Sequence, residues 1–189
     1  HEYGGGEFLA NQGRIFFVEA ETQDIYDQVG DREPKRLTQE PDLRFADLVL
    51  DSRHNRLIAV AEHHSEGSHN PENFLASVSL EPGKPGSVTP FASGHDFYAS
   101  PNMSPDGRTL AWLAWDLPHM PWESAALYVA ELKDDGSLGE IAHIAGGDGS
   151  AIFQPGWLAD GRLAFVWDKD GWGRLYLWQG GVISAPVSP

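Results

Sequence analysis

The sequence predicts an all-β chain made of four repeated four-stranded units, and three observations predict it. A tight-turn signature ending in arginine recurs at Arg14, Arg56, Arg108 and Arg162, at intervals of 42, 52 and 54 residues. The apolar runs around it are short, alternating and rich in β-branched and aromatic residues, and none keeps a 3.6-residue period for long. The composition pairs turn formers (Gly 21, Pro 13) with bulky anchors (Trp 7, Phe 9, Tyr 5), a mixture that suits strands joined by tight turns.

Each unit reads as strand, turn, strand, loop, strand, turn, strand. The first opens with "GEFLANQGRIFFVEA", continues with "DIYDQV" from Asp24 and closes with "KRLT" from Lys35. The second runs through "ADLVLDSRHNRLIAVAE", "NFLASVSL" from Asn73 and "SVTPF" from Ser87. The third has "PNMSPDGRTLAWLAW", "ALYVAEL" from Ala126 and "EIAHIA" from Glu140; the fourth has "PGWLADGRLAFVW", "RLYLW" from Arg174 and "GVISAPV" from Gly181. Asn-Gln-Gly or Asp-Gly at the first turn supplies the positive φ that a hairpin demands. Four-stranded units at a period of about 40–50 residues mark the blades of a β-propeller. The expected blades are 1–41, 42–94, 95–147 and 148–189. Four of them are expected to be part of a larger ring of about six to eight blades. A partial ring leaves edge strands open, so self-association through blade edges is a further expectation.

Charge narrows the partners. Lys and Arg total 13 against 28 Asp and Glu, a formal net charge of −15, which repels phosphate backbones and excludes nucleic acid as an expected partner. No stretch approaches the ~20 apolar residues needed to cross a bilayer, so no membrane partner is expected. The absence of cysteine excludes a disulfide framework, thiol catalysis and cysteine-based zinc sites, and fits a cytoplasmic location. The first residue is not Met, and the chain reads as excised from a longer one.

Several clusters invite a functional reading. "EHHSEGSH" places His63, His64 and His69 among carboxylates, but adjacent histidines on extended chain face opposite ways, and a solvated loop explains them better than a metal. "DKDGWG" from Asp168 lacks the distal ligands of a calcium loop and reads as a hairpin turn. "HEYGGG" sets three glycines where backbone approaches something closely, which makes Glu2 and Tyr3 candidate substrate contacts; tight packing is the competing explanation. "WDLPHMPW" combines proline rigidity with aromatics between two strands of one blade, so Trp115, His119 and Trp122 are candidates for substrate or interdomain contact, or for packing within the blade. Trp157, Trp172 and Trp178 read as core residues on strands. No catalytic, cofactor or metal residue is assigned, and no cofactor is expected.

Taken together, "HEYGGG", the stretch from Phe97 to Leu132 containing "SPDGR" and "WDLPHMPW", and that from Ile152 to Trp178 resemble the N-terminal β-propeller of prolyl oligopeptidase-family serine peptidases. The nearest branch is that of acylaminoacyl-peptidases and dipeptidyl-aminopeptidase-like enzymes. "SPDGR" is shared with TolB-like and other WD40-like repeats, whereas "WDLPHMPW" with "HEYGGG" is more discriminating. The chain departs from the pattern at Leu158-Ala159, where the family has Ser-Pro, and at the longer second turn "LDSRHNR". The resemblance implies a partner α/β-hydrolase domain with a Ser-Asp-His triad, which the propeller caps as a gate for short peptides. That catalytic domain is not within this chain: there is no Gly-x-Ser-x-Gly elbow, and Ser68 and Ser150, each preceded by Gly, lack its flanking spacing. The expected function is therefore substrate gating without catalysis, with peptide substrate reached through the missing hydrolase domain. The alternative is a TolB-like protein-binding scaffold with no enzymatic partner domain.

Overall fold

A computed structural model of the chain describes residues 6–65 and 71–185. It is built almost wholly of strands, and these form four separate antiparallel sheets of four. Every sheet is a meander in which neighbours in sequence are neighbours in space. This is the blade architecture of a β-propeller. Among the described residues no helix is long and apolar enough to cross a membrane.

The chain divides into two compact units, 1–94 and 95–189. The first holds β1 (Phe8–Asn11), β2 (Arg14–Val18), β3 (Ile25–Val29) and β4 (Lys35–Arg36), then β5 (Leu43–Asp51), β6 (Arg56–His63), β7 (Glu72–Ser79) and β8 (Val88–Ala92). Alternation sends every second side chain of a strand to the same face of its sheet, and β6 is buried on both faces. Phe16 and Ile25 from the first sheet thereby join Phe45, Leu57, Ala59 and Val78 from the second in one buried cluster. The β1–β2 turn has Gln12 at φ 47° and Gly13 at φ 79°, two consecutive positive values that match the right-handed twist of a two-residue hairpin.

Carboxylates with no exposure brace this unit from inside. Asp24 accepts hydrogen bonds from the Thr38 hydroxyl at 2.6 Å, from the Glu40 N–H at 3.2 Å and from the Arg36 guanidinium. Asp51 accepts from Arg56 Nε at 2.8 Å and pairs with His54 Nδ1 at 2.9 Å, while the Arg56 guanidinium lies 4.4 Å from the Phe91 ring centroid. The aligned arginines of this unit are thus framework residues: Arg14 makes a two-point bridge to Asp27 at 2.7 and 2.9 Å.

The second unit holds β9 (Phe97–Met103), β10 (Thr109–Trp115), a single helical turn α1 (Pro121–Ser124), β11 (Ala126–Leu132) and β12 (Leu138–Gly146). It continues with β13 (Ile152–Trp157), β14 (Leu163–Trp167), β15 (Arg174–Gln179) and β16 (Val182–Ser184). Leu127 and Val129 on one sheet pack with Ile152, Leu163 and Phe165 on the other. Asn102 and Trp157 fasten the two sheets: Trp157 Nε1 donates to the Asn102 carbonyl at 3.0 Å, and Asn102 Nδ2 donates to the Pro155 carbonyl at 3.3 Å.

The two "DGR" turns differ as their sequences do. In the β9–β10 turn the Ser104 hydroxyl donates to Asp106 Oδ1 at 2.6 Å and accepts from the Thr109 N–H at 2.9 Å. Leu158 stands at the corresponding place in the β13–β14 turn and has no hydroxyl, so Asp160 braces that turn through Arg162 Nε at 2.9 Å instead. Trp172 corrects one expectation. It lies in the loop between β14 and β15 with 76% of its surface exposed, so it is neither on a strand nor in the core. Trp157 and Trp178 are on strands, half-buried, with ring centroids 6.3 Å apart.

Candidate functional site

A cavity of about 380 Å³ opens at one end of the β9–β12 sheet, within the second unit. Register explains its position. Ala114 on β10 pairs with Ala126 on β11, which pairs with Gly146 on β12, so three of the four positions in this row, all but Tyr98 on β9, carry almost no side-chain volume. Gly146, at φ 80°, is fixed there by contact as well as conformation. A Cβ on it would meet the Ala125 carbonyl oxygen at 2.4 Å and Ile152 Cγ1 at 2.7 Å. Such contacts are far inside van der Waals distance.

Tyr128, His143, His95 and Trp115 wall the gap beside those positions, with Trp112 packed behind Tyr128. Trp112, Tyr128 and His143 are successive cross-strand neighbours on β10, β11 and β12, with centroids 6.0 and 5.4 Å apart. His95, just before β9, places its ring 5.0 Å from Tyr128. Trp115, almost fully buried, stacks on its cross-strand neighbour Phe97 at 5.3 Å and contributes to the lining.

Asp116 is the charged centre of this wall. Its Oδ2 lies 2.9 Å from His95 Nδ1 and its Oδ1 accepts the Asp96 N–H at 2.8 Å, while Asp96 Oδ2 in turn accepts the Leu117 N–H at 2.9 Å. The reciprocal pair clips the start of β9 to the end of β10. Partial burial pushes the Asp116 carboxyl upward, but the His95 hydrogen bond, the Asp96 N–H and the His95 charge outweigh it and hold the pKa below the ordinary aspartate range. Burial raises the Tyr128 phenol above its usual value, and the Asp116 charge adds to that. Tyr98, whose hydroxyl accepts the His95 N–H at 3.1 Å, is raised by burial too. Asp116 is therefore an anion beside neutral phenols at neutral pH.

Of the residues singled out in the sequence, Trp115 and His119 both line this cavity. Trp122 does not line it; it projects from α1 with 59% of its surface exposed. Glu2 and Tyr3 lie outside the described residues. His95, Asp116, Tyr128 and His143 were not singled out, although the repeated Trp-Asp at the ends of β10 and β14 carried a signal. Asp116 and Asp168 each accept the N–H of a residue at the start of the preceding strand's segment, Asp96 in one sheet and Ala151 in the other, the latter at 2.6 Å.

A second cavity, of about 420 Å³, occupies the corresponding end of the β5–β8 sheet in the first unit. Glu40, Asp42, Glu72 and His63 line it over a floor of Leu43, Phe74 and Pro90. Nearby, His64 Nε2 pairs with Glu62 at 3.2 Å. Among the described residues no group of three or more His, Asp or Glu could hold a metal ion.

With this geometry in view, the solved structures place the chain. A puromycin hydrolase crystal structure matches 97% of it at 30% identity with a TM-score of 0.86. The chain matches the propeller segment of such a peptidase. A puromycin-hydrolysing peptidase from Mycobacterium tuberculosis agrees, covering 99% of the chain at 26% identity and TM-score 0.81. In both cases this chain spans 31% of the longer protein. TolB from Acinetobacter baumannii shares the fold alone, at 18% identity and TM-score 0.57 over 92% of this chain and 41% of TolB. No family model and no curated protein matches the sequence.

Proposed function

We propose that the chain is the non-catalytic, substrate-gating propeller of a prolyl oligopeptidase-family serine peptidase that cleaves short peptides. The observation that carries this reading is the 30% identity to a puromycin hydrolase, held over 97% of the chain but over only 31% of the hydrolase. The remaining length in such a protein is where an α/β-hydrolase domain with its triad would lie, and nothing in this chain supplies a nucleophile elbow. A gate of this kind works by exclusion. The bore of a propeller admits an extended peptide and rejects a folded domain, so selectivity comes from size before any side chain is read.

The test compares the chain joined to its hydrolase partner with the hydrolase alone, on short aminoacyl and N-acylaminoacyl nitroanilides and on folded protein substrates. The joined protein is expected to cleave the short substrates and spare the folded ones. Equal cleavage of both would sink the gating role.

A further inference from the structure

We propose that the cavity at the end of the β9–β12 sheet is a binding site for an organic cation, an ammonium or guanidinium head on a short apolar stem. The inference stands on this sheet alone and does not rest on the gating reading.

The shape is suitable. About 380 Å³ is within the range of small-ligand pockets and accommodates one long side chain or a small free amine. The charge is suitable as well. Asp116 and Asp148 line the cavity, and its basic residues are three histidines, His95, His119 and His143, with no Lys or Arg. Asp116 keeps 53% of its side chain exposed although both oxygens already have a partner. A carboxylate has roughly four lone-pair positions, so two hydrogen bonds orient it without exhausting it.

The walls decide between a cation and a neutral polar ligand. Tyr128 lies between His95 and His143, with ring centroids 5.0 and 5.4 Å away and planes tilted by 42° and 49°, so one phenol ring stands among the cavity's walls close to the Asp116 carboxylate. Ring faces attract cations through their quadrupole, most effectively where water is partly excluded. A guanidinium can also make a two-point contact with a carboxylate such as Asp116. Ala114, Ala126 and Gly146 supply the low-volume floor on which an apolar stem can lie.

The same chemistry could arrive as a free amine or as an arginine side chain of a polypeptide, and the test separates them. The isotope-labelled chain would be titrated by NMR with ethylguanidinium, with a capped Gly-Arg-Gly peptide and with the capped Gly-citrulline-Gly peptide. Shifts at Tyr128, His143 and Gly147 are expected with the cationic probes, with the neutral citrulline peptide weaker by about tenfold or more. Equal binding of ethylguanidinium and the arginine peptide assigns a side-chain ligand, and loss of the peptide alone assigns a small free one; either supports the site. Asp116→Asn is expected to weaken the cationic probes by about tenfold while leaving Asp148→Asn with a smaller effect. No shifts at these residues with ethylguanidinium, an arginine peptide that binds no tighter than a citrulline peptide that does bind, or shifts spread over the acidic surface and away from these residues would overturn the proposal. These titrations use the unmodified chain, so they decide the matter even if Asp116→Asn fails to fold.

Discussion

Two buried carboxylates of the first unit contrast with three surface ones of the second, although Glu19 caps a turn from the surface of the first unit as well. In the first, Asp24 and Asp51 are fully buried, and each is consumed by its neighbours: Thr38, Arg36 and the Glu40 N–H around one, Arg56 and His54 around the other. In the second, Asp106, Asp116 and Asp160 work from the surface, capping turns and strand ends while part of each carboxylate still meets water. A buried carboxylate with every lone pair engaged is closed to anything new. A surface carboxylate oriented by backbone N–H groups is held in place and remains open, which is why the cavity of the β9–β12 sheet has the makings of a site.

The largest expected effect breaks the closed kind. Asp24→Ala takes the acceptor from the buried Thr38 hydroxyl and the Glu40 N–H, while the half-exposed Arg36 can turn to water, and should cost about 2–4 kcal/mol, read as a lower urea midpoint. Acid should probe the open kind next. The Ser104 hydroxyl and the Arg108 N–H hold the Asp106 carboxyl below the ordinary aspartate value, and Asp116 is lowered as well. Their contribution is therefore complete above the unfolded aspartate pKa and is lost as pH falls through the folded values. Melting temperature followed from about pH 6 to about pH 2 should decline through the acid end, and Asp106→Asn should flatten part of the decline. A smaller loss separates the two turns of the second unit. Ser104→Ala removes three hydroxyl hydrogen bonds and should cost about 1 kcal/mol, whereas Leu158→Ala, at a turn that never had them, should cost less. The smallest change is at the surface: Trp172→Ser should move stability by less than about 0.5 kcal/mol. A larger drop would mean that Trp172 packs against something its exposure does not reveal.

The strands and their turns were legible because each is a local statement. Asn-Gln-Gly and Asp-Gly mark positive φ within two residues, and an alternating run declares its own inward face, so the sequence located all four sheets. The site was not local. His95, Asp116, Tyr128 and His143 come from four different strand ends, and only register brings Tyr128 opposite His143 and leaves Ala114, Ala126 and Gly146 in one row. Trp115, at the end of β10, and His119, in the loop after it, drew attention because prolines and aromatics cluster there, and both line the cavity, whereas Trp122 from the same stretch does not. Trp172 misled for a related reason. A large aromatic beside a short apolar run has the composition of core, and nothing in its neighbours says that the chain has already turned.

The meander order of every sheet bears on how the molecule comes into being. Because each strand pairs with the next one along the chain, a blade is complete once about fifty consecutive residues have left the ribosome, and none of its edges waits for a distant partner. The fastening of Asn102 to Trp157 and Pro155 comes only when the following blade begins. During synthesis, then, the β9–β12 sheet can close its own hydrogen bonds first and acquire its neighbour afterwards, an assembly line in which each finished part is added to the one before it.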